Sequence, residues 1–201
     1  MLTVPSGVSF PTLAGMTTTL RSASLRAPGY TRPADPYVWG PFVGAIGATT
    51  FVLVNRGFLP EPWPLVALVA WVLLLVAFVA SVVVLPRRFG ERALPSPRAG
   101  LIYLVSVLAM VGAIALGRRL LAAGDHGNVE GALIAIAVGL HFVPFARAFG
   151  APVFGPLGWV VAGVGAVGLA LGLLVAPVWA AVGAVVAGLA MLAILAWDAR
   201  R

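Results

Sequence analysis

Residues 65–85 read LVALVAWVLLLVAFVASVVVL, an apolar run interrupted only by Ser81 and bounded by Pro62 and Pro86. A helix rises about 1.5 Å per residue and the hydrocarbon core of a bilayer is roughly 30 Å thick, so about 20 such residues make one crossing. This stretch is long enough. Its continuous apolarity also sets aside a transmembrane barrel, whose strands alternate with period two in segments of about ten residues.

Outward from this run, the charges divide the chain into further candidates. Asp35 is the last charge before a run from Pro36 to Asn55, a third run lies between Arg98 and Arg118, and a shorter one lies between Glu130 and Arg147. The shorter run spans only if one or both of its bounding charges sit at the interface. Residues 148–197 carry no formal charge, which suits two helices joined by a tight turn near Gly172 to Pro177. The expectation is an all-α polytopic integral membrane protein with about six transmembrane helices in one bundle, at residues 37–56, 63–85, 99–117, 129–147, 152–172 and 177–197. Residues 1–35 hold Pro, Ser, Thr, Gly and scattered Arg without an apolar run of signal-peptide length, and read as a flexible cytoplasmic leader. Met16 is an alternative start of translation within it.

Composition points the same way. The chain is 61% hydrophobic and 9% charged, a balance that leaves a water-soluble domain too little polar surface. All 13 basic residues are arginine, and the net charge is +7. Their placement argues for topology rather than for nucleic acid. Arg21, Arg26, Arg32, Arg87, Arg88, Arg92, Arg98, Arg147, Arg200 and Arg201 fall on one side of the six-span layout, and Arg56, Arg118 and Arg119 on the other. The positive-inside rule then places both termini in the cytoplasm. Lipid is the expected surrounding, with a homo-oligomer or a larger membrane complex as the expected kind of protein partner.

Tryptophans mark span ends at Trp39, Trp63 and Trp197, whereas Trp71, Trp159 and Trp179 fall further in. Gly40 and Gly44 form one GxxxG, Gly168 and Gly172 another, and Gly163 and Gly165 crowd the same span. Small residues let helices approach where lipid supplies no hydrophobic drive, either within one bundle or at a dimer seam. Ser81, Ser106, Thr49, Thr50 and Tyr103 can bond between helices or back to their own.

The local motif is Gly139-Leu-His-Phe-Val-Pro-Phe-Ala-Arg-Ala-Phe149. Pro144 cannot donate to the carbonyl of Leu140 and crowds it, so the helix is expected to kink or open beside His141. Ionisable groups inside a span tend to face the bundle interior or water and often serve ion pathways. Glu130 lies eleven residues earlier, about three turns, on nearly the same face and roughly 16 Å away along the axis. Two readings follow. In one, Glu130 and His141 line a polar track for protons or ions. In the other, His141 bonds a backbone carbonyl, Glu130 lies among headgroups and Arg147 snorkels to phosphates. The candidate functional residues are therefore His141, Pro144, Arg147 and Glu130. Asn55, Arg56 and Glu61 at one outer loop, and Arg118, Arg119, Asp125, His126 and Glu130 at the other, either pair across the outer face or are ordinary solvated loop charges.

The motif resembles a Gly-Leu-His-Phe-x-Pro-Leu-Ala-Lys/Arg-x-Phe stretch in a late helix of a poorly characterised group of small bacterial multi-helix membrane proteins. Phe145 stands where that pattern has leucine. The resemblance implies a bacterial inner-membrane protein and no particular chemistry.

Catalysis has little to draw on. Cysteine is missing, there are two histidines and six carboxylates in separate segments, and HExxH, GxSxG and a phosphate-binding glycine loop do not occur. No catalytic residue, metal ligand or cofactor is assigned. The favoured function is a non-enzymatic structural subunit or partner of a membrane assembly; the alternative is a small transporter or channel with a proton- or ion-linked site near His141.

Overall fold

The computed structural model describes residues 36–84 and 96–200, with the backbone alone for 36–39 and 83–84. The expected leader with Met16, and Arg87, Arg88, Arg92 and Arg201, lie outside the described residues. Every regular element among those described is helical: α1 (Pro36–Asn55), α2 (Trp63–Val79), α3 (Ala99–Ala123), α4 (Glu130–Ala148), α5 (Phe154–Leu174) and α6 (Val178–Asp198). Single 3₁₀ turns at Arg56–Phe58 and Gly127–Val129 precede α2 and α4, and a π turn, Ala80–Val84, prolongs α2.

Prolines and left-handed residues set the boundaries. Pro62 and Pro177 cap the starts of α2 and α6, where a missing N–H costs nothing. Gly150, at φ 62°, follows the last residues of α4. After α3 the chain turns at Asp125, φ 59°. There the His126 amide donates to the Leu121 carbonyl at 2.7 Å and the Asp125 amide to the Ala122 carbonyl at 3.2 Å. This pair of bonds is a Schellman closure with aspartate in the position glycine usually takes.

Five helices, α2 to α6, are long and apolar enough to cross a membrane among the described residues, where six were expected. The expected span 37–56 coincides with α1, a helix of 20 residues, but two prolines, three glycines, two threonines and Asn55 dilute its apolar content. A second correction concerns α3, which runs 25 residues to Ala123 instead of ending at 117. At about 37 Å it exceeds the hydrocarbon core. Arg118 and Arg119 therefore ride on its final turns, near the negative end of the helix dipole, rather than in a loop.

The helices pack around α6, which meets α1, α2, α4 and α5. In its apolar window 56% of residues are buried, against 6% in that of α3. Among the described residues α3 packs only on α4 and the turn before it. The starts of α1, α3 and α5 and the ends of α2, α4 and α6 share one end of the bundle. Several contacts show this: Arg200 Nε donates to Ser81 Oγ at 3.0 Å, the Ser96 amide donates to the Ala148 carbonyl at 2.8 Å, and a Cβ on Gly44 would lie 2.9 Å from Leu195.

Glycine sets the intimacy of this packing. On α5, Gly158, Gly165 and Gly172 recur every seven residues. A Cβ would come 2.7 Å from the Gly139 carbonyl at Gly158, 2.8 Å from the Ile136 amide at Gly165, and 2.9 Å from Ala180 Cβ at Gly172. Gly168 and Gly183 face each other between α5 and α6, and a Cβ on Gly188 of α6 would lie 2.7 Å from the Ala48 carbonyl. Both GxxxG pairs thus serve contacts inside the bundle; Gly163, with nothing within 4 Å, points away from it.

Candidate functional site

The residues singled out in the sequence lie on α4, and three of the four bear on its contact with α3. At the start of α4 Arg118 Nε lies 2.9 Å from Glu130 Oε1. Midway, Ser106 Oγ donates to the His141 carbonyl at 2.9 Å. Further on, the rings of Tyr103 and Phe145 stack with centroids 5.6 Å apart. From Arg118 back to Tyr103 is fifteen residues, and from Glu130 on to Phe145 is fifteen, so the contacts form one antiparallel register. Between them Leu133 fills the space left open at Gly117, where a Cβ would lie 2.5 Å from Leu133 Cδ2. Neither Glu130 nor His141 reaches the other. α3 lies along this stretch of α4, meeting the Glu130 side chain and the backbone carbonyl of His141.

The imidazole of His141 is turned onto its own helix. Nδ1 donates to the Val138 carbonyl at 2.6 Å, which in a neutral ring puts the proton on Nδ1. The ring lies 4.2 Å from that of Phe142 and meets Phe145 edge-on at 5.1 Å. Phe149 and Phe154 extend this aromatic cluster beneath α4.

Pro144 does not interrupt α4, which is helical from Glu130 to Ala148, contrary to the expected opening beside His141. The proline sits four residues from the helix end, so only the Leu140 carbonyl loses its partner there. Pro144 instead borders an open groove between α3 and α4. Arg147 is exposed at the arginine-bearing end and makes no ion pair among the described residues.

Other polar groups resolve into ties between helices. Trp71 Nε1 donates to Thr49 Oγ1 at 3.1 Å, joining α2 to α1. Ser81, fully buried in the π turn, donates to the Ala77 carbonyl at 2.6 Å while accepting from Arg200. Asn55, expected among outer-loop groups, is buried: Nδ2 donates to the Phe51 carbonyl at 2.9 Å, and Oδ1 lies over Gly131, where a Cβ would collide with it. Thr50 bonds back to Ile46 of its own helix. Sequence reasoning did not single out Gly131 or Gly188, and named Gly139 only as the first residue of the motif. Their signal was the bare Cα opposite a partner's backbone, which only the helix rotations reveal.

Among the described residues no group of three or more His, Cys, Asp or Glu could hold a metal ion. The chain is an all-α, multi-pass membrane bundle, with apolar faces such as Leu101, Leu108 and Val111 of α3 exposed as contact with lipid requires. No family model, no curated protein and no solved structure matches it.

Proposed function

We propose that this chain is a non-catalytic structural subunit or partner of a membrane assembly, seated in the inner membrane of a bacterium with its arginine-rich end in the cytoplasm. The observation that carries the reading is the use made of His141. Its Nδ1 is taken by the Val138 carbonyl and its own carbonyl by Ser106, while Glu130 is held by Arg118. Glu130 and the His141 backbone are thus engaged in docking α3, and the imidazole Nδ1 is held by its own helix. The orientation rests on the arginine count along the sequence: ten fall on the side that holds Arg98, Arg147 and Arg200, against Arg56, Arg118 and Arg119 on the other. The bacterial inner membrane rests on the resemblance of residues 139–149.

Proton flux into proteoliposomes, for the wild type and a folded His141→Ala variant, tests this reading between about pH 5 and 8, where histidine titrates. Both proteins are expected to match protein-free vesicles. Flux above that blank which disappears in the variant would overturn the reading and make α4 a conduction element.

A further inference from the structure

The groove between α3 and α4 measures about 450 Å³ and is lined by Leu101, Ile102, Val105, Ser106 and Ala109 opposite Pro144. That size falls within the roughly 300–1,000 Å³ of small-molecule pockets. Ser106 spends its hydroxyl on the His141 carbonyl, so the walls are otherwise apolar. One turn before Leu101 on α3 stands Arg98, and one turn after Pro144 on α4 stands Arg147. Residues three apart share a helix face, so each arginine continues one wall of the groove toward the same end of the bundle. The bond from the Ser96 amide to the Ala148 carbonyl fixes that end. Chain reach from this bond keeps the Cα atoms of Arg98 and Arg147 within about 18 Å of each other.

Both arginines are exposed and neither makes an ion pair among the described residues, whereas Arg118 pairs with Glu130 and Arg200 donates to Ser81. An apolar trough open to the bilayer, with two unpaired cations at its membrane-surface end, has the amphipathic pattern of a phospholipid. The geometry points to an anionic phospholipid site, with one acyl chain along the α3–α4 groove and the phosphate headgroup between Arg98 and Arg147. Guanidinium groups present a planar fork that matches phosphate oxygens, and a negative headgroup is favoured where two such groups have no carboxylate partner among the described residues. The inference stands apart from the partner role proposed above, since it concerns what fills the groove in either case.

Native mass spectrometry of the delipidated full-length protein in a mild detergent tests it, with dioleoyl phosphatidylglycerol, dioleoyl phosphatidylcholine and glycerol phosphate as probes. Phosphatidylglycerol is expected to bind in preference to phosphatidylcholine, and glycerol phosphate not to compete. The double variant Arg98→Gln/Arg147→Gln should lose phosphatidylglycerol affinity by about fivefold per arginine. Ala109→Trp, which fills the groove, should weaken both lipids alike with helix content unchanged, and Arg119→Gln at the opposite end should change neither. Equal binding of the two lipids by wild type, undiminished phosphatidylglycerol binding by the double variant, or an equal loss in Arg119→Gln would overturn the site. Competition by glycerol phosphate would overturn the groove as its acyl half.

Discussion

Replacing Gly139 by alanine should loosen the bundle at its closest approach. A Cβ there would overlap the Ala162 amide nitrogen and come within 2.7 Å of the Gly158 carbonyl oxygen and 2.8 Å of Ala162 Cα. All three belong to the backbone of α5, so no side chain can swing aside. Ordinary carbon contacts begin near 3.4 Å, and α5 must therefore retreat by at least about 0.7 Å. A radial gap of about 0.5–1 Å forfeits a quarter to a half of each pair's well, itself ~0.1–0.2 kcal/mol deep. Spread over some forty atom pairs, about what one buried leucine makes, the loss is about 2 kcal/mol, inside the usual range for overpacking. Lipid does not compensate, because apolar surface gains nothing by moving between helix and acyl chains. Gly163→Ala is the matched control: the same chemistry on α5, with nothing within 4 Å, should stay within about 0.5 kcal/mol of wild type. Unfolding in mixed micelles of rising dodecyl sulfate, followed by far-ultraviolet circular dichroism, reads both. Equal midpoints for Gly139→Ala and wild type would refute the close approach of α4 and α5, and so would an equal loss in the control.

Ser106→Ala removes the bond to the His141 carbonyl and should cost about 0.6 kcal/mol, the average for hydrogen bonds between membrane helices. Its clearer signature is faster amide exchange in α3 than in α6; unchanged exchange in α3 would mean the bond does not hold the helix. Orientation is readable because the chain has no cysteine to give background. In intact cells a membrane-impermeant maleimide should label Asn128→Cys, in the exposed turn before α4, and should reach Pro97→Cys, beside Arg98, only after permeabilisation. The reverse pattern would invert the proposed topology.

The membrane class was legible because charge and apolarity along the chain separate crossings from their ends, and residues 65–85 do so without a charge or a glycine. The limits of α3 were less so, because nothing in the bilayer geometry stops a helix at the first arginine, and Arg118 and Arg119 continue it into the headgroup region. Rotation of each helix was legible only in part. A water-soluble helix shows which side it buries through amphipathic periodicity, but in lipid both sides are apolar and the pattern carries no contrast. The facing of α5 could be read from the seven-residue recurrence of Gly158, Gly165 and Gly172 once α4 was known to lie opposite. The charges around Glu130 were open to pairing and Ser106 to bonding between helices, yet nothing in the sequence chose Arg118 for Glu130 or the His141 carbonyl for Ser106.

That last pairing also explains why α3 uses polar contacts at all. The helix exposes Leu101, Leu104, Leu108 and Val111 to the surroundings, and exchanging lipid for helix at such positions supplies little net free energy. A helix that meets one other helix among the described residues must then be held by contacts that lipid cannot replace. The ion pair at Glu130, the hydroxyl bond at His141 and the ring stack at Phe145 are contacts of that kind, spaced along fifteen residues of α4. On this argument Glu130, the His141 carbonyl and Phe145 mark where α3 docks, and a variant that breaks all three contacts should release α3 while leaving the packing of α6 with α1, α2 and α5 in place.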